Sequence, residues 1–189
     1  MCWRRGPGAA HPVGMDAQDY GPVGPDAGQA HNIGGFVTNR TLLHGDATGG
    51  RFSVVETRIE PRQSANPPHR NSREDLFLVV VEGRVGVQLG DEVFQAGPGE
   101  LVRMPRGQWH CFWNAGEEPA RAQVIISPAG YETSLEQMAQ HIPEGAPPDI
   151  EAVTAIAQGA GVELDVPGWM QLVQRQGLDQ PPGWPAPPA

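Results

Sequence analysis

The stretch Gly99–Asn114, GELVRMPRGQWHCFWN, decides the fold. It reads as two short strands, ELVRMP and WHCFWN, joined by a turn at Pro105-Arg106-Gly107. Side chains alternate between faces along a strand, so Arg103 on the solvent side places Val102 and Met104 inside. The same alternation puts His110 and Phe112 on the inner face and Trp109, Cys111 and Trp113 on the outer one. A histidine that points into an otherwise apolar interior is a candidate for chemistry.

Outward from these two strands the chain continues in the same style. FVTNRTLL (36–43), RFSVVETRIE (51–60), LFLVVVEGRVGVQLG (76–90), DEVFQAG (91–97) and RAQVIIS (121–127) are short strand-like runs, nearly all bounded by Gly or Pro. The second half of the third block shows the period of two, with Val85, Val87 and Leu89 on one face and Arg84 and Gln88 on the other. Many short strands at regular spacing predict an all-β sandwich or barrel over residues 36–130. Residues 131–180 change to a helical period: Leu135, Met138, Ala139 and Ile142 share a face, and Asp149 is placed to cap a second helix carrying Ile150, Val153 and Ala157. A short third helix carries Trp169 and Leu172. These helices are expected to pack against the outside of the barrel or a partner subunit. Residues 1–35 are rich in Gly, Pro and Ala and read as irregular. The Pro-rich tail, 181–189, is expected to be extended or disordered.

Composition narrows the function. The 189 residues carry a net charge of −9, and all 13 basic residues are Arg. No basic cluster suits a phosphate backbone, so nucleic acid is not an expected partner. Without Lys there is no Schiff-base chemistry on a lysine side chain. No apolar run is long enough to span a bilayer, and Arg4-Arg5 is not followed by a signal-like apolar segment, so no membrane partner is expected. Cys2 and Cys111 make no disulfide framework, which fits a reducing, cytoplasmic setting. His31, His44 and His141 read as surface histidines. No phosphate-binding loop, dinucleotide fingerprint or nucleophile elbow is present.

The pattern Gly99, Pro105, Gly107, His110, Asn114 resembles the second motif of the cupin superfamily at every position. Pro67-Pro68-His69, Asp75 and Glu82-Gly83 fall where the first motif belongs. Thr48–Phe52 and Ser127–Glu132 are similar to flanking segments of the small single-barrel cupins that include bacterial quercetin 2,3-dioxygenases. The resemblance covers about residues 36–167 and implies a double-stranded β-helix, or jelly roll, often dimeric, so a homodimer is expected. It also implies a divalent metal (Fe, Mn, Ni, Co or Zn) held by three His and one Glu. Transferred residue by residue, the ligands His69 and His110 are present, Asn71 replaces the middle His, and Leu76 replaces the Glu. Asp75 points to the wrong face to stand in for that Glu, and Glu74 has the right parity but lies two residues upstream.

A divalent site generally needs three protein ligands, and an amide is a poor one for these metals. Two readings therefore stay open. In one, His69 and His110 still hold a metal that supports quercetinase-like dioxygenation. In the other the pocket is metal-free, and His69 and His110 act as acid and base while Asn71 orients the substrate or stabilises charge. That chemistry would be cyclisation, isomerisation or dehydration of a small aromatic or polyketide-like molecule walled by Leu76, Leu78, Val87, Val102, Met104 and Phe112. A cupin retained only to bind a small molecule is the further alternative.

Overall fold

A computed structural model describes residues 22–24, 27–181 and 184 of the chain. Eleven strands form two antiparallel sheets that face each other. They are β1 (Ala30–Ile33), β2 (Val37–Leu43), β3 (Ser53–Ile59), β4 (His69–Asn71), β5 (Asp75–Glu82), β6 (Val85–Leu89), β7 (Glu92–Ala96), β8 (Leu101–Met104), β9 (His110–Asn114), β10 (Ala120–Ser127) and β11 (Val162–Leu164). One sheet has the order β1-β2-β3-β10-β5-β8 and the other β11-β4-β9-β6-β7. This is the all-β barrel expected from the strand spacing, in the jelly-roll form that the family resemblance implies. Three helices follow, α1 (Tyr131–Ala139), α2 (Ile150–Gly159) and α3 (Val166–Gln176). None of the helices described is long and apolar enough to cross a membrane.

Alternation places the core where the sequence put it. Val85, Val87, Val102 and Met104 are buried while Arg103 is exposed. Burying each such side chain contributes about 1.5–3 kcal/mol, so this interior dominates the stability. Two glycines are required by close approach. Gly83 has φ of 76° between β5 and β6, and a Cβ there would meet the backbone of Ala120 at 2.9 Å. Gly86 lies beneath the Trp113 indole, which a Cβ would meet at 2.2 Å.

Several expectations are corrected. Ala30–Ile33, read as irregular, pairs with Val37–Arg40 as an edge strand, because the neighbouring strand satisfies its backbone groups. Residues 1–21, 25 and 26 of that segment lie outside the described residues, as do 182, 183 and 185–189 of the Pro-rich tail. The barrel is not confined to 36–130: Val162–Leu164, inside the helical region, adds to β4 at the edge of the second sheet. Helix α1 stops at Ala139, so Ile142 packs from the following turn rather than from the helix. Asp149 caps α2 as read, accepting from Ala152 N at 3.0 Å. Cys111 and Trp113 do face away from the barrel interior, yet both are buried in the core cluster that α3 also joins.

The helices do more than pad the outside. Tyr131, Leu135 and Met138 of α1, Val153 of α2 and Trp169 of α3 cover the barrel mouth. Glu132 anchors α1: its carboxylate accepts from Ser53 Oγ at 2.8 Å, Gly45 N at 3.1 Å and Gly130 N at 2.6 Å. Burial pushes this carboxyl up, but those three donors together hold it below its ordinary range.

Candidate active site

Strands β4 and β9 pair at a single register position, His69 opposite His110. Opposite residues on one face of an antiparallel pair lie side by side, so the two imidazoles meet, with ring centroids 4.3 Å apart and planes tilted by 60°. The main chain fixes both rings. His69 Nδ1 lies 3.0 Å from the carbonyl of Pro67, and His110 Nδ1 lies 2.9 Å from that of Gln108. A carbonyl only accepts, so in the neutral rings Nδ1 carries the proton and Nε2 is left as a bare acceptor. His110 Nε2 is buried with no partner.

Burial keeps both rings neutral. Desolvation, then the neighbouring His110, lower the pKa of His69 to about 3 against a weaker upward pull from the Pro67 carbonyl. Desolvation also lowers His110, opposed by the Gln108 carbonyl.

In front of His69 is a cavity of about 100 Å³, lined almost wholly by apolar side chains, among them Phe36, Leu76, Phe112, Tyr131, Trp169 and Trp184. His69 is on its wall and His110 stands behind it. Of the wall residues expected from sequence, Leu76 and Phe112 line this cavity. Leu78, Val87, Val102 and Met104 do not: all four are buried in the barrel core. They face inward as read, but alternation specifies a face and not a depth along the strand. Trp184, expected in an extended tail, is instead only 6% exposed and packs edge-on against Trp169 at 4.7 Å.

Asn71 is fully buried on the same face of β4 as His69. Its amide nitrogen donates to Glu74 Oε2 at 3.3 Å, and its Oδ1 is buried without a partner. Asn71 thus presents an acceptor while its amide nitrogen is engaged by Glu74. Glu74, which parity left marginal, precedes β5 and turns inward, where it is 4% exposed. Burial raises its pKa more than the Asn71 amide, its own backbone, Arg73 and Arg106 lower it. Asp75 points outward as read and pairs with Arg106 at 2.8 Å. Tyr131 was missed: it is buried, 6.5 Å from the His69 ring, and its pKa is raised by burial and by the Glu74 charge. No periodic signal marks it, because it opens a helix beyond the barrel.

The donor set decides the metal question on chemistry. His110 Nε2 and Asn71 Oδ1 are orphaned acceptors, a feature that suits a cation. Among the described residues, however, no group of three His, Cys, Asp or Glu converges. Two neutral imidazoles and an amide supply no negative charge to offset a divalent ion, so the residues present do not fit a first-row metal centre. A hydroxyl group, which donates, does suit the bare Nε2 of His69 on the cavity wall.

Comparisons with known proteins agree with this fold. Residues 55–126 match the family model described as Cupin domain. Germin-like protein 9-2 of Oryza sativa subsp. japonica is 30% identical over 91 residues, 46% of this chain and 42% of the relative. The chain therefore spans less than half the length of the germin-like proteins it matches. The polyketide synthase CurC of Streptomyces cyaneus is 28% identical over 125 residues, 65% of this chain and 79% of the relative. Among solved structures, the polyketide cyclase RemF from Streptomyces resistomycificus aligns with a TM-score of 0.50 at 27% identity, covering 57% of this chain and 79% of that one. KdgF from Halomonas sp. shares the fold, with a TM-score of 0.50 at 18% identity over 56% of this chain and 90% of that one.

Proposed function

We propose that this chain, whose residues 55–126 match the cupin domain model, is a cupin enzyme that moves protons on a small aromatic or polyketide-like molecule held in the barrel mouth. The observation that carries this is the pinned, neutral His69 on the wall of an apolar cavity, with His110 packed behind it. The similarity to a polyketide cyclase and to CurC supports the substrate class.

The chemistry follows from the exposed acceptor. His69 Nε2 takes a proton from a ligand hydroxyl or from an acidic C–H beside a carbonyl. The imidazolium is strongly disfavoured in the empty cavity, but the enolate or phenolate formed at the same moment offsets its charge in a low-dielectric space. Return of the proton to a different atom completes an isomerisation. Attack of the enolate carbon on a carbonyl closes a ring, and protonation of the resulting alkoxide or hydroxyl lets water leave. Each step conserves electrons and needs no oxidant. The apolar wall excludes water, which would otherwise reprotonate the enolate first.

A second reading is favoured by one observation: a pKa near 3 makes His69 a weak base, which suits a protein that binds its ligand without turnover. One experiment separates the two. The protein is incubated in D2O with orcinol and with benzoylacetone, and deuterium entry at the acidic positions is followed by proton NMR, with binding measured by calorimetry. Exchange above the protein-free rate, falling about 100-fold in His69→Ala, supports the enzyme. Binding without exchange supports the binder, and neither binding nor exchange removes both.

A further inference from the structure

Two residues of the cavity wall carry hydrogen-bond donors that the fold does not use. Trp169 is 1% exposed and Trp184 is 6% exposed, both line the cavity, and the Nε1 of each is buried with no acceptor. A buried unsatisfied N–H is costly, and indole N–H groups normally find a partner when enclosed. The T-shaped contact of the two rings, with planes at 82°, can spend at most one of these N–H groups on the face of the other ring. At least one donor therefore remains. Neither indole is placed by chance. Trp169 sits one turn into α3, whose cap Asp165 donates its N–H to the Pro68 carbonyl at 2.8 Å, beside His69. Trp184 is held by a turn, its N–H donating to the Pro181 carbonyl at 3.2 Å and its own carbonyl accepting from Gln180 Nε2 at 2.8 Å.

We infer that Trp169 and Trp184 form a second polar subsite, which receives a carbonyl oxygen of the ligand while His69 receives a hydroxyl. The ligand class is then a hydroxy-carbonyl aromatic: one planar apolar body, one donor and one acceptor. This rests on the reading of the cavity as a small-molecule site and adds to it which functional groups the molecule carries. Asn66 Oδ1, also on the wall and also unpartnered, is an acceptor and offers a place for a second hydroxyl. Because Trp184 lies after α3 in the chain, the binding site extends beyond that helix.

Matched ligands test this. The cavity is small, so single-ring probes are used: 4-hydroxyacetophenone against 4-ethylphenol, and 3-hydroxyacetophenone against 3-ethylphenol. Each pair differs only in the carbonyl oxygen, and the two pairs cover two separations of hydroxyl and carbonyl. Affinities are measured by calorimetry for the full chain and for Trp184→Phe and Trp169→Phe, which keep an aromatic ring and remove the N–H. The expected result is a ketone preference in the unaltered chain that drops about tenfold in at least one variant, the scale for losing one buried hydrogen bond. Trp184→Phe alters a single turn outside the barrel, so it serves if Trp169→Phe does not fold. An ethylphenol preference in the unaltered chain, or ratios identical in all three proteins, overturns the subsite and leaves the proton-transfer reading standing. No binding of any probe overturns both.

Discussion

Lowering the pH from about 7 to about 4.5 is expected to cost the folded chain roughly 3 kcal/mol through His69 alone. Above its ordinary value of 6.5 the imidazole is neutral in both folded and unfolded chains and adds no pH dependence. Below 6.5 the unfolded chain takes up a proton that the folded chain refuses until about 3, so stability falls across that window. The slope approaches about 1.4 kcal/mol per pH unit, and about two units of it are crossed. His110, lowered in the same direction, adds to the loss. Glu74 works against it: its raised pKa means that the cost of ionising it is recovered as the pH falls. A loss of this size is a large part of the total stability of an ordinary domain, on the order of 10 kcal/mol. His69→Gln isolates the effect, since its amide nitrogen can still donate to the Pro67 carbonyl but cannot titrate. Urea denaturation of both proteins is followed by circular dichroism at each pH. The variant should lose roughly 3 kcal/mol less than the parent over the window. Equal losses would show that the folded cavity does not exclude the imidazolium, and the neutral-base mechanism would fall with it.

Glu74→Gln should raise Tm at neutral pH by a few degrees, because it removes a buried charge while keeping an acceptor for Asn71; a lowered Tm at pH 7 would contradict this. Glu132→Ala should destabilise the fold by about 3 kcal/mol, since it orphans Ser53 and the N–H groups of Gly45 and Gly130; denaturant midpoints measure it, and a loss under about 1 kcal/mol would mean the carboxylate is replaceable by water. The paired change Asn71→His with Leu76→Glu should rebuild a four-ligand set and make Tm rise with added Zn or Ni, by an amount that grows with metal concentration. A folded double variant whose Tm ignores both metals would break the residue-by-residue register on which the missing ligands were identified.

Much of this was legible in the sequence, and the rest failed for identifiable reasons. Alternation in VGVQL and LVRM fixed which side chains enter the barrel, and the Pro105, Gly107, His110 spacing located one half of the site. Depth is a different coordinate. Leu76 and Leu78 have the same parity, yet Leu76 lines the cavity and Leu78 is packed in the core. Glu74 was read by strand parity although β5 begins only at Asp75, and the backbone ahead of a strand has no period to obey. Trp184 was hidden by its neighbours: composition averages over a Pro-rich window, while burial of one indole is decided by a partner fifteen positions earlier, Trp169. Tyr131 and Val162–Leu164 reach the barrel only through long-range packing that no local pattern encodes.

The two carbonyls that hold the histidines belong to the main chain, at Pro67 and Gln108. Replacing the side chain at either position leaves the oxygen in place, so ring orientation is insulated from point mutation. Positions 71 and 76 enjoy no such protection, since what they present beside the imidazoles is side chain. A lineage can therefore exchange ligands there by single-residue steps while the imidazole pair stays aimed, and each intermediate keeps a working polar face. The aim of the imidazoles is thus a property of the main chain, and what faces them is a property of the side chains at 71 and 76.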